Sequence, residues 1–149
     1  MFEIIFYVFS SLLAYIDYTK FIVPNKILLI LLIMLIIFGL LENKLNINSF
    51  FISFSVLIFF SVLLLINPSM ILGGGDIKYM MIVAIFLQPI LFPFFLIITG
   101  IVQSLFLLYS QKINKKQKVA MVPAMFISVF LSQLYYDSSY FLFEKIASS

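Results

Sequence analysis

Six apolar runs fill most of this 149-residue sequence, and only short polar segments separate them. Apolar residues make up 64% of the chain and charged residues 10%, whereas soluble domains carry roughly 25% charged residues. An apolar run of about 20 residues is long enough to cross a bilayer as a helix. The sequence therefore predicts an all-α, polytopic membrane helix bundle of about six transmembrane helices, in one integral membrane domain over residues 1–149.

The fourth predicted helix is short, and it must include part of the segment 71–75 or cross a thinned region to span a bilayer. In the sixth, Pro123 predicts a kink that could open a groove for a substrate. The hydrophobic pattern places the six helices at about Phe2–Tyr18, Ile22–Leu41, Phe50–Ile66, Ile77–Gln88, Pro93–Tyr109 and Val119–Tyr136.

The formal charge of +3 comes from nine basic residues against six acidic ones, and every basic residue is a lysine. Seven lysines lie in or beside the first, third and fifth loops, and two lie on the opposite side. By the positive-inside rule, the odd-numbered loops are cytoplasmic and both termini lie outside. The seven are Lys20, Lys26, Lys78, Lys112, Lys115, Lys116 and Lys118, and the two are Lys44 and Lys145.

This topology brings two aspartates to the same side of the membrane. Asp17 ends the first helix at the cytoplasmic boundary, and Asp76 begins the fourth helix at that boundary. A carboxylate within an apolar membrane segment is costly and usually functional. We therefore expect Asp17 and Asp76 to reach similar depth at one site.

The chain contains no cysteine and no histidine. This composition excludes disulfides, zinc–thiolate sites, thiol nucleophiles and imidazole bases together. We expect no metal ion and no cofactor. Because the lysines follow the topology of the loops, we also expect the lipid bilayer as a partner and no nucleic acid.

Paired carboxylates support one kind of chemistry well. Two neighbouring carboxylates at a partly desolvated site cannot both ionise easily, so the pair holds one proton near neutral pH. The ionised partner can take a proton from water while the protonated one donates to a peptide carbonyl. Asp17 and Asp76 are thus candidate catalytic residues of an aspartic protease.

Gly73, Gly74 and Gly75 precede Asp76 and have poor helix propensity. They predict unwound backbone that could offer hydrogen-bonding partners to an extended peptide, or else a loop or a small-residue packing site. Asp76 alone could be a helix N-cap. Lys78 could hold a substrate carboxylate or anchor the helix at the cytoplasmic face, and Pro24-Asn25 has a structural role at the start of the second helix.

These segments resemble motifs of the type IV prepilin peptidases and archaeal preflagellin peptidases. Gly73-Gly74-Gly75-Asp76-Ile77-Lys78 is similar to their GxGD motif, and the segment from Asp17 to Val23-Pro24-Asn25 resembles their first-aspartate motif. The segment 118–124 is similar to a family segment near the last helix. The resemblance covers roughly residues 13–129.

The resemblance implies an aspartic endopeptidase that cleaves the short basic leader from prepilin-like substrates at the cytoplasmic face, with Asp17 and Asp76 as the catalytic pair. Gly73 and Gly75 are its motif glycines. The longer bifunctional members carry a cytoplasmic domain after the first helix, often with paired CxxC motifs, that is associated with N-methylation. This chain has only a few residues there, so we expect peptidase activity without methyltransferase activity. Its length resembles that of the peptidases serving Flp-type pili, and a preflagellin substrate is also open.

Two other classes remain open on the sequence. A non-catalytic scaffold subunit of a pilus or secretion assembly could pair Asp17 and Asp76 with lysines for packing. A small transporter is less favoured, because no inverted repeat and no matching pair of broken helices is evident.

Overall fold

The computed structural model describes residues 1–66, 73–114 and 120–147, and this part of the chain forms helices and no strand. The all-α prediction is confirmed. The helices are α1 (Phe2–Lys20), α2 (Asn25–Leu41), α3 (Ile47–Ile66), α4 (Gly74–Phe86), α5 (Leu91–Asn114) and α6 (Val122–Ala147).

Within the described residues, three helical segments are long and apolar enough to cross a membrane: Phe2–Lys20, Ile47–Ile66 and Leu91–Lys112. Two shorter apolar segments, Asn25–Leu41 and Val122–Tyr136, accompany them. Many of their large apolar side chains point away from the protein, as Leu65 and Ile66 of α3 do. Such a continuous apolar surface suits contact with lipid rather than water.

Helix α4 is the central element of the bundle. Nearly all of its side chains from Ile77 to Phe86 are buried, and it contacts α2, α3 and α6 as well as aromatic residues of α1. Its 13 residues extend only about 20 Å, less than the thickness of a bilayer core. Because other helices enclose it, α4 does not need the length of a helix that faces lipid.

The turn between α1 and α2 lies later in the chain than the sequence pattern predicts, at residues 21–24 rather than 19–21. Phe21 adopts a left-handed conformation (φ 52°, ψ 33°), and its N–H donates to the carbonyl of Asp17 at 2.8 Å. Pro24 is extended, and α2 begins at Asn25 rather than at Ile22. Residues 21–24 therefore leave the helical path, and at Val23 the restriction on the residue before proline favours this.

The predicted kink at Pro123 is wrong. Helix α6 begins at Val122, so Pro123 lies in its first turn. The N–H groups of the first turn have no acceptor within the helix, so a proline there removes no hydrogen bond and does not bend the helix. Lys115, Lys116, Lys118 and the segment Ile71-Leu72, which entered the sequence predictions, lie outside the described residues.

Candidate active site

Helices α1 and α4 run antiparallel and approach each other at three levels. At one end the rings of Phe6 and Phe86 stack, with their centroids 3.7 Å apart. In the middle the buried hydroxyl of Tyr79 faces Ser10 without reaching standard hydrogen-bond geometry. At the other end, two turns of α1 beyond Ser10, Asp17 lies close enough to Asp76 for the two carboxylates to interact electrostatically.

Asp17 is held in the last turn of α1 with only 4% of its surface exposed. Its Oδ2 atom accepts a hydrogen bond from the backbone N–H of Val122 at 2.9 Å. Val122 is the first residue of α6, and the first amides of a helix have no partner within the helix. The positive end of the α6 dipole therefore faces the Asp17 carboxylate and stabilises negative charge there.

Asp76 occupies the first turn of α4, three residues after the N-cap residue Gly73. Its Oδ2 atom accepts a hydrogen bond from the N–H of Gly73 at 3.0 Å, so the side chain closes back over the start of its own helix. Its Oδ1 atom is buried and has no hydrogen-bond partner among the described residues. One oxygen thus fixes the side chain, while the other is not fixed by any described group.

The three glycines have different environments. Gly73 is extended, whereas Gly74 and Gly75 are helical, and none of the three has a positive φ. The expectation of unwound backbone is therefore wrong for Gly74 and Gly75. Close packing explains Gly75 instead, because a Cβ atom there would lie 2.7 Å from the Cβ of Val23.

Lys78 is exposed on the second turn of α4. Its ammonium donates a hydrogen bond to Oδ1 of Asn25, the first residue of α2, at 2.9 Å. This contact joins the two motif segments directly. It also gives Lys78 a partner other than the substrate carboxylate considered from the sequence.

Sequence reasoning did not identify Val122, Asn25 and Val23 as partners of the site residues. All three lie inside the motif segments read from the sequence. Their place in these motif segments was visible in the sequence, but the motifs do not indicate which residue each one contacts. Among the described residues, no group of three or more acidic, cysteine or histidine side chains could hold a metal ion.

These features define a helical membrane protein with two carboxylates close enough to interact electrostatically where α1 ends and α4 begins. A model of the type IV leader peptidase family matches residues 4–108. The match covers more than two thirds of the chain, and the chain belongs to this family. It is therefore a multi-pass membrane peptidase, and the resemblance seen in its motifs is confirmed. Among curated proteins and among solved structures, nothing matches this chain.

Proposed function

We propose that this chain is an aspartic endopeptidase that removes the short basic leader of prepilin-like proteins, with Asp17 and Asp76 as its catalytic pair. The observation that carries the proposal is that these two carboxylates, at the end of α1 and the start of α4, lie near enough to interact electrostatically. Both lie within the residues matched by the peptidase family. The substrate class, which includes Flp-type pilins and preflagellins, rests on the motif resemblance.

The pair would act through one shared proton. The ionised carboxylate takes a proton from a water molecule as the water oxygen attacks the scissile carbonyl carbon, and the protonated carboxyl donates its proton to the carbonyl oxygen. The tetrahedral intermediate then collapses, the C–N bond breaks, and a proton passes to the leaving nitrogen. The Val122 and Gly73 amides hold one oxygen of each carboxyl, which fixes the orientation of the pair before substrate arrives.

The placement of lysines supports a cytoplasmic location for this site in the cell membrane. Lys20, Lys26 and Lys78 lie at helix ends beside the two aspartates, whereas Lys44 bonds Glu3 at the other end of α1 at 2.7 Å. By the positive-inside rule, the end with the aspartates faces the cytoplasm. Both termini then lie outside.

We further propose that cleavage depends on depth in the membrane. The apolar helix of a prepilin enters from lipid, its charged leader stays cytoplasmic, and the scissile bond rests level with Asp17 and Asp76. Substrates with several residues inserted or deleted between the helix and the cut site should escape cleavage. Cleavage at an unchanged rate in such substrates would contradict selection by depth.

The short turn from Phe21 to Pro24 leaves no room for a domain between α1 and α2. On this basis we propose that the product leaves with an unmethylated N-terminus. The mass of the mature N-terminal peptide, measured after cleavage by the purified enzyme with S-adenosylmethionine present, tests this point. A product heavier by one methyl group would refute it.

The decisive experiment is leader cleavage of a co-expressed prepilin, followed by gel mobility at equal membrane abundance of each variant. Asp17→Asn and Asp76→Asn should both abolish cleavage, because each removes the ability to share a proton. Glu3→Gln is the matched control, since it neutralises an exposed carboxylate at the other end of α1 and should leave cleavage intact.

The scaffold alternative makes the opposite prediction, because packing should tolerate both asparagine variants. In its sequence-based form it pairs the aspartates with lysines. The described contacts of both carboxylates are instead hydrogen bonds from backbone amides. Cleavage that survives in both variants would refute the catalytic assignment.

A further inference from the structure

The start of α4 contacts the α1–α2 turn where only glycine fits. A Cβ atom added to Gly75 would lie 2.7 Å from the Cβ and 3.3 Å from the Cγ2 of Val23. Carbon atoms in ordinary contact are about 3.5–4.0 Å apart. A Cβ atom added to the neighbouring Gly74 would meet no atom of the described residues within 4 Å. Packing among these residues therefore requires glycine at position 75 and not at position 74.

A second contact joins the same two segments. Lys78 lies three residues after Gly75, and residues at this spacing are neighbours on one helix face. Asn25, which accepts the hydrogen bond from Lys78, lies two residues after Val23. One face of α4 thus meets one turn at two points, a steric contact and a hydrogen bond.

Both aspartates are tied closely to this contact. Asp76 directly follows Gly75, and the Asp17 carbonyl accepts the N–H of Phe21 at 2.8 Å, which fixes the beginning of the turn that carries Val23. The Val23–Gly75 contact therefore lies between the two aspartates. Asp17 is six residues before Val23 on one side of it, and Asp76 is next to Gly75 on the other. A change in that contact distance is therefore passed to the separation of the two carboxylates.

We infer that Val23 is a positioning residue, whose side chain against Gly75 sets the distance between Asp17 and Asp76. Lys78 and Asn25 keep α4 from sliding along the turn. This inference rests on the proposed catalytic pair. It also gives a steric reason why the glycine next to Asp76 is required while the one before it is not.

The test adds a Cβ atom at Gly75 on α4 and then removes the opposing one at Val23 on the turn. Gly75→Ala must move α4 by about 1 Å to restore normal contact, and such a displacement can cost about a hundredfold in rate. We expect this loss in kcat, with KM little changed. Gly74→Ala is the matched control and should cleave at about the wild-type rate. The double variant Val23→Gly/Gly75→Ala removes the opposing Cβ and should recover most of the lost activity.

Each outcome is decisive. Equal cleavage by Gly74→Ala and Gly75→Ala, or a double variant no more active than Gly75→Ala, overturns the positioning role. The proposed function survives that result if wild type cleaves and both aspartate variants do not. If Gly75→Ala fails to accumulate in membranes, the double variant must restore both accumulation and cleavage, and its failure to do so also overturns the inference.

Discussion

Replacing Asp17 should cost stability as well as activity, because its carboxylate accepts the first amide of α6. Asp17→Ala leaves the Val122 N–H without its 2.9 Å partner in a place with almost no solvent. Leaving a buried donor unsatisfied costs about 1–3 kcal/mol. We expect the free energy of unfolding to fall by that amount. Asp17→Asn keeps a side-chain oxygen of the same shape, so it should lose less than about 1 kcal/mol while losing the activity entirely.

Reversible unfolding of the purified protein in detergent micelles, followed by circular dichroism, measures these differences. Asp76→Ala is the internal comparison, because its hydrogen bond closes the exposed start of its own helix and no second helix depends on it. It should lose less stability than Asp17→Ala. Equal losses for Asp17→Ala, Asp17→Asn and Asp76→Ala would refute the idea that Asp17 joins α1 to α6.

Three further outcomes follow from contacts away from the site. Hydrogen bonds from the amino-terminal ammonium and then from the Phe2 N–H hold the pKa of Glu42 below its ordinary value. Wild type should therefore lose stability as the pH falls below about 4. Glu42→Gln should lack this acid-dependent fall in melting temperature. Ser53→Ala removes a part-buried 2.9 Å hydrogen bond from α3 to the Met81 carbonyl of α4 and should lower the unfolding free energy by about 0.6 kcal/mol in the same micelle assay. A Cβ atom at Gly100 would meet no atom of the described residues within 4 Å, so Gly100→Ala should raise the unfolding free energy by up to about 1 kcal/mol, since alanine favours the helix.

The helices themselves were largely predictable, because apolar length and composition decide which segments suit a membrane. Their ends were less predictable: the last helix runs to Ala147 rather than Tyr136, and the fourth also starts elsewhere than predicted. Poor glycine propensity argued for a helix starting at Ile77, yet α4 begins at Gly74. One tertiary contact and one local bond override propensity here: Gly75 packs against Val23, and Asp76 closes the first turn of its own helix. The pattern along one segment does not contain the contact with Val23.

The placement of the two aspartates at one end of the bundle was also predictable. The lysines orient the first helix, and because each following helix crosses in the opposite direction, the side of every helix end follows. The groups that hold them were not. Asp17 bonds a backbone amide 105 residues away, and Lys78 bonds Asn25 across 53 residues. A backbone amide carries no residue-specific signal, so no sequence pattern could mark Val122 as the partner of Asp17.

The proposed site is built from helix ends rather than from helix faces. Asp17 lies at the end of α1, Asp76 and Gly73 at the start of α4, and Val122 at the start of α6. Helix starts carry amides that need acceptors, and in a membrane few other acceptors are at hand. The two carboxylates meet this need at α4 and α6, and the same bonds fix their orientation. Substitutions that reduce activity should therefore concentrate at these helix ends, while exposed apolar positions such as Leu65 should accept other apolar residues.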